Sequence, residues 1–362
     1  VHFSVVSDHL PEPEGTATGR ALLAVCQGLV DEGHGVDLWS WRPEPPTAEL
    51  PAWCTWRPLR HGTRAEGHLR ALANPRGEAG RQGWAPTEGA IALADTPMSF
   101  SAVAQFPRSV VTFHYLTRLD RGAVGGWSLP DVQDVRNERR AARRAAAVHA
   151  LSPRVAEHLG TNAVPVPIGY PIPAAALPPI EQPVATMVAN WGWPPNRAAL
   201  AIVLSGWPSV RDRVPGAQLL LAGRGDPGVG SLSGVTVVGP VARVADVLGR
   251  TSVVAFPCPA SSGPKGKVLE AMAYGVPVLT TSYGVEGLAV DPDDVAVTTP
   301  DAFSTELTAL LSDPARRALL AAAGRRAAVA GHAPAVVARA RVAACRGLVG
   351  QRDDRAGTGD GT

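Results

Sequence analysis

Residues 253–288, VVAFPCPASSGPKGKVLEAMAYGVPVLTTSYGVEGL, are compatible with few folds. Val253, Val254, Ala255 and Phe256 form an apolar run too short for a helix and closed by Pro257 and Pro259, as in a parallel strand covered on both faces. Ser261, Ser262, Gly263 and Pro264 have the composition of a helix start, with Ser262 or Gly263 as N-cap and Pro264 in the first turn. The helix is expected from Lys265 to Tyr274, stopped by Gly275 in a left-handed cap, and Pro277 bars its continuation.

On that helix Val268, Leu269, Met272 and Ala273 share the face that packs on a sheet, while Lys267 and Glu270, three apart, share another. A helix N-terminus carries unpaired N–H groups and partial positive charge, and Lys265 and Lys267 add two full charges at the same end. That combination suits a diphosphate. Glu270 lies one turn beyond, where its carboxylate could accept hydrogen bonds from a vicinal diol such as a ribose. The same spacing also suits an exposed Lys267–Glu270 ion pair, so the residues alone leave both readings open.

The chain around this stretch has 362 residues, enough for two domains each with its own core. A formal net charge of +2 gives no argument for nucleic acid or a membrane surface as partner. Cys26, Cys54, Cys258 and Cys345 lie far apart with no C-x-x-C pair, so neither a zinc site nor a disulfide framework is expected. No apolar run approaches a membrane span, and Asp8 interrupts the first strand before a secretory h-region could form. Cytoplasmic location is the expectation.

Strand and helix patterns alternate through both halves. HFSVVS (2–7), a loop to Gly15, a helix from Thr18 to Glu32 and a strand from Val36 to Trp41 open the chain as a βαβ unit. Gly15 and Gly19 lie at the carboxyl end of its first strand, a common ligand position, although by themselves two spaced glycines are better explained by a plain turn. Residues 42–89 show little period beyond a short strand near Thr55 to Pro58; Trp53, Trp56 and Trp84 could stack on a ligand ring or fill gaps. Ala90 to Ala94 and Ser109 to Phe113 read as buried strands, and the second runs into His114, placing a histidine at a strand tip facing the cleft. Arg136, Arg139, Arg140, Arg143 and Arg144 fall on one helical stretch without interleaved aromatics, as on a solvated face.

The proline-dense run 163–179 cannot be helical and marks an interdomain crossing. Six further strand candidates follow with helices between most of them, implying a second doubly wound sheet. Gly223-Arg224-Gly225-Asp226-Pro227-Gly228 spells G-x-G-x-x-G, but Pro227 and the glycines after it predict a loop where a dinucleotide fingerprint needs a helix. The expected division is a first domain at 1–165, a linker at 166–182, a second domain at 183–333, a helix at 334–350 crossing back to the first, and a disordered tail at 351–362.

The run SSGPKGKVLEAMAYGVPVLTTSYGVEGL resembles the donor-binding motif of retaining glycosyltransferase family 4, whose members have the GT-B fold. NWGWPPNRAAL and RVPGAQLLLAGRGDP resemble the same bacterial subgroup. The family motif usually holds two glutamates separated by seven residues; Glu270 matches the second, and Ser262 stands at the first, as in a subgroup whose loop carries a basic pair like Lys265 and Lys267.

The resemblance implies an α/β protein of GT-B architecture, with two Rossmann-like, doubly wound parallel-sheet domains facing a central cleft. By resemblance, Glu270 binds the donor ribose, Lys265 and Lys267 the diphosphate, and His114 lines the donor-sugar site. Ser262, Gly263 and Asn196 lie in the donor site, Arg224 near the nucleotide and Gly239 toward the base, while Gly15 and Gly19 form the loop that approaches donor and acceptor. Arg197 stands alone where many relatives carry a basic pair. The implied reaction moves a sugar from a nucleotide-diphosphate donor to a hydroxyl of a soluble small-molecule or saccharide acceptor, with retention. The sugar nucleotide is a co-substrate; no cofactor and no metal are expected. Asp8, Glu12 and Glu14 would suit an amine-bearing acceptor, or simply be solvated. The rivals are a sugar-nucleotide epimerase, a non-catalytic nucleotide-sugar-binding protein and an NAD enzyme using the GRGDPG loop.

Overall fold

The computed structural model describes residues 1–12, 15–40, 50–54, 56–59, 84–160 and 162–349. In chain order the first half holds β1 (His2–Ser7), α1 (Ala17–Asp31), β2 (Gly35–Ser40), β3 (Trp56–Pro58), β4 (Ile91–Ala94), α2 (Phe100–Val103), β5 (Ser109–Phe113), α3 (Thr117–Val124), α4 (Leu129–Arg144), β6 (Ala147–Ala150), α5 (Pro153–Leu159) and β7 (Ala163–Pro165). The second half holds β8 (Val184–Val188), α6 (Pro194–Arg213), β9 (Gln218–Ala222), β10 (Val235–Gly239), α7 (Val244–Leu248), β11 (Val253–Phe256), α8 (Gly266–Ala273), β12 (Val278–Thr280) and β13 (Ala296–Val297). The chain then ends its described part in α9 (Phe303–Ser312), α10 (Pro314–His332), α11 (Pro334–Ala344) and α12 (Arg346–Val349).

Among the described residues every strand pairing is parallel, and the strands form a seven-stranded sheet ordered β3-β2-β1-β4-β5-β6-β7 and a six-stranded sheet ordered β10-β9-β8-β11-β12-β13. Two parallel α/β domains of this kind are the GT-B architecture expected above. In each sheet the order reverses once, between β1 and β4 and between β8 and β11. Open α/β sheets bind ligands at such switch points, outside the carboxyl ends of the strands.

Strand alternation feeds two cores in the first domain. Phe3, Val5, Leu93 and Val110 face α1 and α11, whereas Val6, Ala94, Val111 and Phe113 pack on the opposite side. The last long helix therefore belongs to the wall of the first sheet, and it approaches α1 so closely that a Cβ on Gly28 would lie 2.0 Å from the Pro334 carbonyl oxygen. Ala163–Pro165, the start of the proline-dense run, adds an edge strand, where a proline costs no ladder bond.

In the second domain α8 buries Val268, Leu269 and Met272 on the sheet, each worth about 2 kcal/mol. Its C-terminus is the expected glycine stop: Gly275 has φ +71°, its N–H donates to the Met272 carbonyl and the Val276 N–H to the Ala271 carbonyl, both at 2.9 Å. Its start differs from the expectation. Lys265, not Ser262 or Gly263, occupies the N-cap, without a side-chain cap bond, and Pro264 precedes the helix. Ser262 and Gly263 are drawn away by the first domain, with Gly263 at φ +70° in a turn that no N-cap adopts. The segment expected as one helix over 334–350 is interrupted at Cys345. Thr55 and the 351–362 tail lie outside the described residues.

Candidate active site

Three groups of side chains line the seam between the switch points. The first surrounds α8. Lys267 is half-buried, its Nζ donating to Asn196 Oδ1 at 2.6 Å and lying 4.0 Å from the centroid of the Phe256 ring. Asn196, in the first turn of α6, is fixed in turn by donating from Nδ2 to the Asn190 carbonyl at 2.8 Å. Burial pushes the Lys267 ammonium down to about 7. Lys265 folds back on its own loop, with Nζ donating to the Ser262 carbonyl at 3.0 Å and to that of Gly263. The two cations therefore flank the start of α8 as the sequence suggested, one preceding the helix and one in its first turn.

The second group spans the domains at Glu270. An exposed Lys267–Glu270 pair does not exist, because Glu270 is buried and turned toward the first domain. Tyr170 Oη donates to Glu270 Oε1 at 2.5 Å, and Arg20 Nη2 lies 3.0 Å from both carboxylate oxygens. Arg20 also donates from Nη1 to the Gly15 carbonyl at 2.5 Å, which ties the β1–α1 loop to the same point. Burial, and next the Glu270 charge, push the Tyr170 hydroxyl far up, so it stays a donor. Gly19 has a packing reason: a Cβ there would sit 2.3 Å from the Leu10 carbonyl oxygen, and its N–H donates to Thr16 Oγ1.

The third group joins the Ser262–Gly263 turn to the tip of β5. A Cβ on Gly263 would lie 1.8 Å from the His114 carbonyl oxygen. The buried Ser262 hydroxyl donates to Asp120 Oδ1 at 2.7 Å and accepts from the Leu116 N–H at 2.9 Å, while its own N–H donates to Asp120. Gly263 N–H donates to Glu286 Oε1 at 2.8 Å, and Glu286 in turn pairs with Arg154 at 3.0 Å. His114 Nε2 lies 2.9 Å from the Asp95 carbonyl oxygen and 3.4 Å from Asp95 Oδ1. Both partners only accept, so Nε2 carries a hydrogen directed at Asp95, and Nδ1 lies on the other side of the ring. Burial alone would raise the Asp95 carboxyl, but His114, His9 and Arg341 outweigh it and hold it below the usual carboxylate range.

Arg224 is exposed at the end of β9, where its carbonyl accepts from Trp191 N–H at 2.8 Å. Gly239, φ +77°, closes β10 beside it, its carbonyl accepting from Gly223 N–H. The G-x-G-x-x-G run leads into β10 rather than a helix, so it lacks the dinucleotide geometry. Arg197 braces that loop, donating to the Trp191 and Asp226 carbonyls. Trp84 is buried edge-on against Phe106 at 5.0 Å, and Trp53 donates to Gln27 Oε1, so both serve packing; the Trp56 side chain and Glu14 lie outside the described residues. Asp8 is buried and accepts from Thr96 Oγ1 at 2.9 Å.

Asp95, Arg20, Tyr170 and Asp120 were not anticipated from sequence. Asp95 had a signal, since it follows the apolar run IALA at a strand tip. Arg20 and Tyr170 had none, because only the closed seam gives them a shared partner 250 and 100 residues away.

Over nearly its whole length the chain is similar to several solved structures. Sucrose-phosphate synthase from Thermosynechococcus elongatus superposes with a TM-score of 0.73 at 17% identity, covering 96% of this chain and 98% of that one. HepE from Anabaena, in complex with UDP and glucose, gives 0.64 at 14% identity over 94% and 98%. WaaG, a glycosyltransferase involved in lipopolysaccharide biosynthesis, gives 0.66 at 13% over 95% and 98%. No curated protein matches the sequence. Residues 182–313, which carry β8 to α9 and the lysine pair, match the family described as Glycosyl transferases group 1, and the described residues have the GT-B fold.

Proposed function

We propose that this protein transfers a sugar from a nucleoside-diphosphate donor to a hydroxyl of a soluble small-molecule or saccharide acceptor, with retention at the anomeric carbon. One observation carries this reading. At the switch point of the second sheet, the Lys267 ammonium is held half-buried in the first turn of α8 by Asn196, beside Lys265. A diphosphate placed there gains two cations and the positive end of a helix. As the glycosidic bond breaks, negative charge grows on the departing diphosphate, and groups already oriented toward it lower the barrier more than mobile water could. The lysines would supply the charge that a divalent metal supplies elsewhere. His114, across the seam, would accept a hydrogen bond from a donor-sugar hydroxyl through Nδ1. The departing phosphate would take the proton of the acceptor hydroxyl on the same face, which is the retaining geometry.

Glu270 would read the ribose diol, sharing its carboxylate with Arg20 and Tyr170. Because the Anabaena neighbour was crystallised with UDP and with UDP-glucose, these are the first ligands to test. Isothermal titration of wild type and Lys267→Ala with UDP and with uridine checks the assignment, with GDP, dTDP and ADP and their nucleosides as further pairs. The variant is expected to lose at least tenfold in affinity for the diphosphate and nothing for the nucleoside; equal losses would remove Lys267 from the phosphate site.

A further inference from the structure

Asp120, which holds the Ser262 turn, also lines a cavity of about 300 Å³. Its other walls are Tyr115 just past the tip of β5, Arg121 of α3, Asp131 and Asp134 three apart on α4, and Trp193 at the N-cap of α6. These walls continue into the residues around the lysines: Tyr115 follows His114, and Trp193 stands three residues before Asn196, which holds Lys267. A volume at the low end for ligand pockets takes a sugar-sized ring rather than a nucleotide.

Three carboxylates and one guanidinium line this space. Asp131 matches Arg121 at 2.8 Å, and Arg121 in turn lies over the Trp193 ring, 5.8 Å from its centroid. Asp120 is placed differently. Ser262 N–H at 2.6 Å and Ser262 Oγ at 2.7 Å both donate to its Oδ1, and among the described residues no bond or ion pair reaches Oδ2. The residue is only 6% exposed, so the opening left to Oδ2 is the cavity. Burial pushes its carboxyl up in spite of the Ser262 bonds and the Lys265 charge, as for a carboxylate short of a counter-charge. Tyr115 and Trp193 leave exposed ring surface at the same place, and aromatic faces attract ammonium groups. Among the described residues no three acidic, His or Cys side chains converge as metal ligands would, so the missing cation is an organic one.

We propose that this cavity is the acceptor subsite and that it selects a hydroxylated ring bearing a protonated amine, the ammonium donating to Asp120 Oδ2 and the ring lying against Tyr115 and Trp193. The acceptor role rests on the transferase reading; the selection for an amine rests on the cavity alone. An Asp120 that served only to lock the Ser262 turn would need one oxygen and would be indifferent to the charge of a ligand. Asn at this position keeps the oxygen that Ser262 uses and replaces the other with an uncharged donor, so it separates the two roles.

The test uses the full chain with UDP, or whichever nucleoside diphosphate the wild type binds, and with glucosamine, N-acetylglucosamine and glucose as probes. Spectra of ¹⁵N-tryptophan protein, with the Trp193 indole signal assigned by its loss in Trp193→Phe, follow binding without turnover. Glucosamine is expected to move that signal saturably, and the two neutral sugars to bind about tenfold more weakly or less. Asp120→Asn is expected to lose about tenfold for glucosamine while its affinity for the nucleotide changes less than twofold. Equal binding of the three probes, no shift with glucosamine, or an unchanged glucosamine affinity in folded Asp120→Asn overturns the proposal. Should that variant not fold, Asp134→Asn takes its place with an expected loss of about threefold, and an unchanged affinity there overturns it. If glucosamine binds as stated and no sugar nucleotide is turned over, the amine site stands and the transferase reading falls. Transfer to neutral acceptors with aminated ones refused leaves the transferase reading and removes the amine site.

Discussion

Arg20 and Glu270 come from different domains, and a single guanidinium nitrogen lies 3.0 Å from each oxygen of the carboxylate. Both side chains are buried, so removing one leaves the other as an uncompensated charge. Arg20→Met should cost about 3 kcal/mol, and Arg20→Met combined with Glu270→Leu should recover much of it. Denaturant melts check this; a single variant as stable as wild type would show the pair to be idle. Glu270→Gln should weaken UDP more than 2′-deoxy-UDP, and equal weakening removes the diol contact.

Lys267 gives a pH dependence of defined sign. Burial pushes its ammonium down to about 7, so it is cationic below that pH and increasingly neutral above it. A diphosphate binds the cationic form, so affinity should be greatest below pH 7 and fall between pH 7 and 9, by at most roughly tenfold per unit. Calorimetry in buffers of different ionisation enthalpy should record proton uptake on binding at pH 8. In Lys267→Met both the fall and the uptake should vanish.

Glu138, buried under α3, accepts from Thr117 N–H at 2.9 Å and from Thr117 Oγ1 at 2.7 Å, yet burial raises its carboxyl to about 7. Its folded value lies above the ordinary carboxylate value, so stability falls as pH rises from about 4.5 to about 7 and the cost is complete above that window. Glu138→Gln should therefore be near neutral at pH 5 and stabilising by about 1–3 kcal/mol at pH 8. Thermal melts of the two proteins at both pH values decide it; a stability gain of equal size at both would assign the effect to packing.

Gly263→Ala places a methyl into the His114 carbonyl from a backbone at φ +70°, with no flexible side chain there to yield. The turn must retreat, taking Ser262 from Asp120. The expected result is a fall of at least tenfold in transfer rate and a larger radius of gyration by small-angle scattering. Gly216→Ala, at φ +84° and with a Cβ that would meet nothing within 4 Å, is the control for backbone strain alone.

Much of the fold could be read from the chain because parallel strands buried on both faces leave continuous apolar runs, such as VVAF and SVVTF, that nothing else explains. Gly275 was equally readable, since a left-handed stop is a local requirement. The start of α8 was not, because what displaces Ser262 from the N-cap is Asp120, 142 residues away. The lysine pair was visible as charge at a helix start. Glu270 looked free for the opposite reason to Ser262: its partners, Arg20 and Tyr170, have no sequence periodicity in common with it. Long-range polar partners are what a single sequence hides, and here they make the seam.

The position of α11 against α1 bears on how the molecule is made. Translation completes the first sheet early, yet Leu22, Cys26 and Leu29 share a core with Val337 and Ala338, which leave the ribosome after the whole second domain. A nascent chain arrested ahead of Pro334 should thus present a firm second lobe beside a first lobe whose flank is still wet, and proteases would cut the older half first.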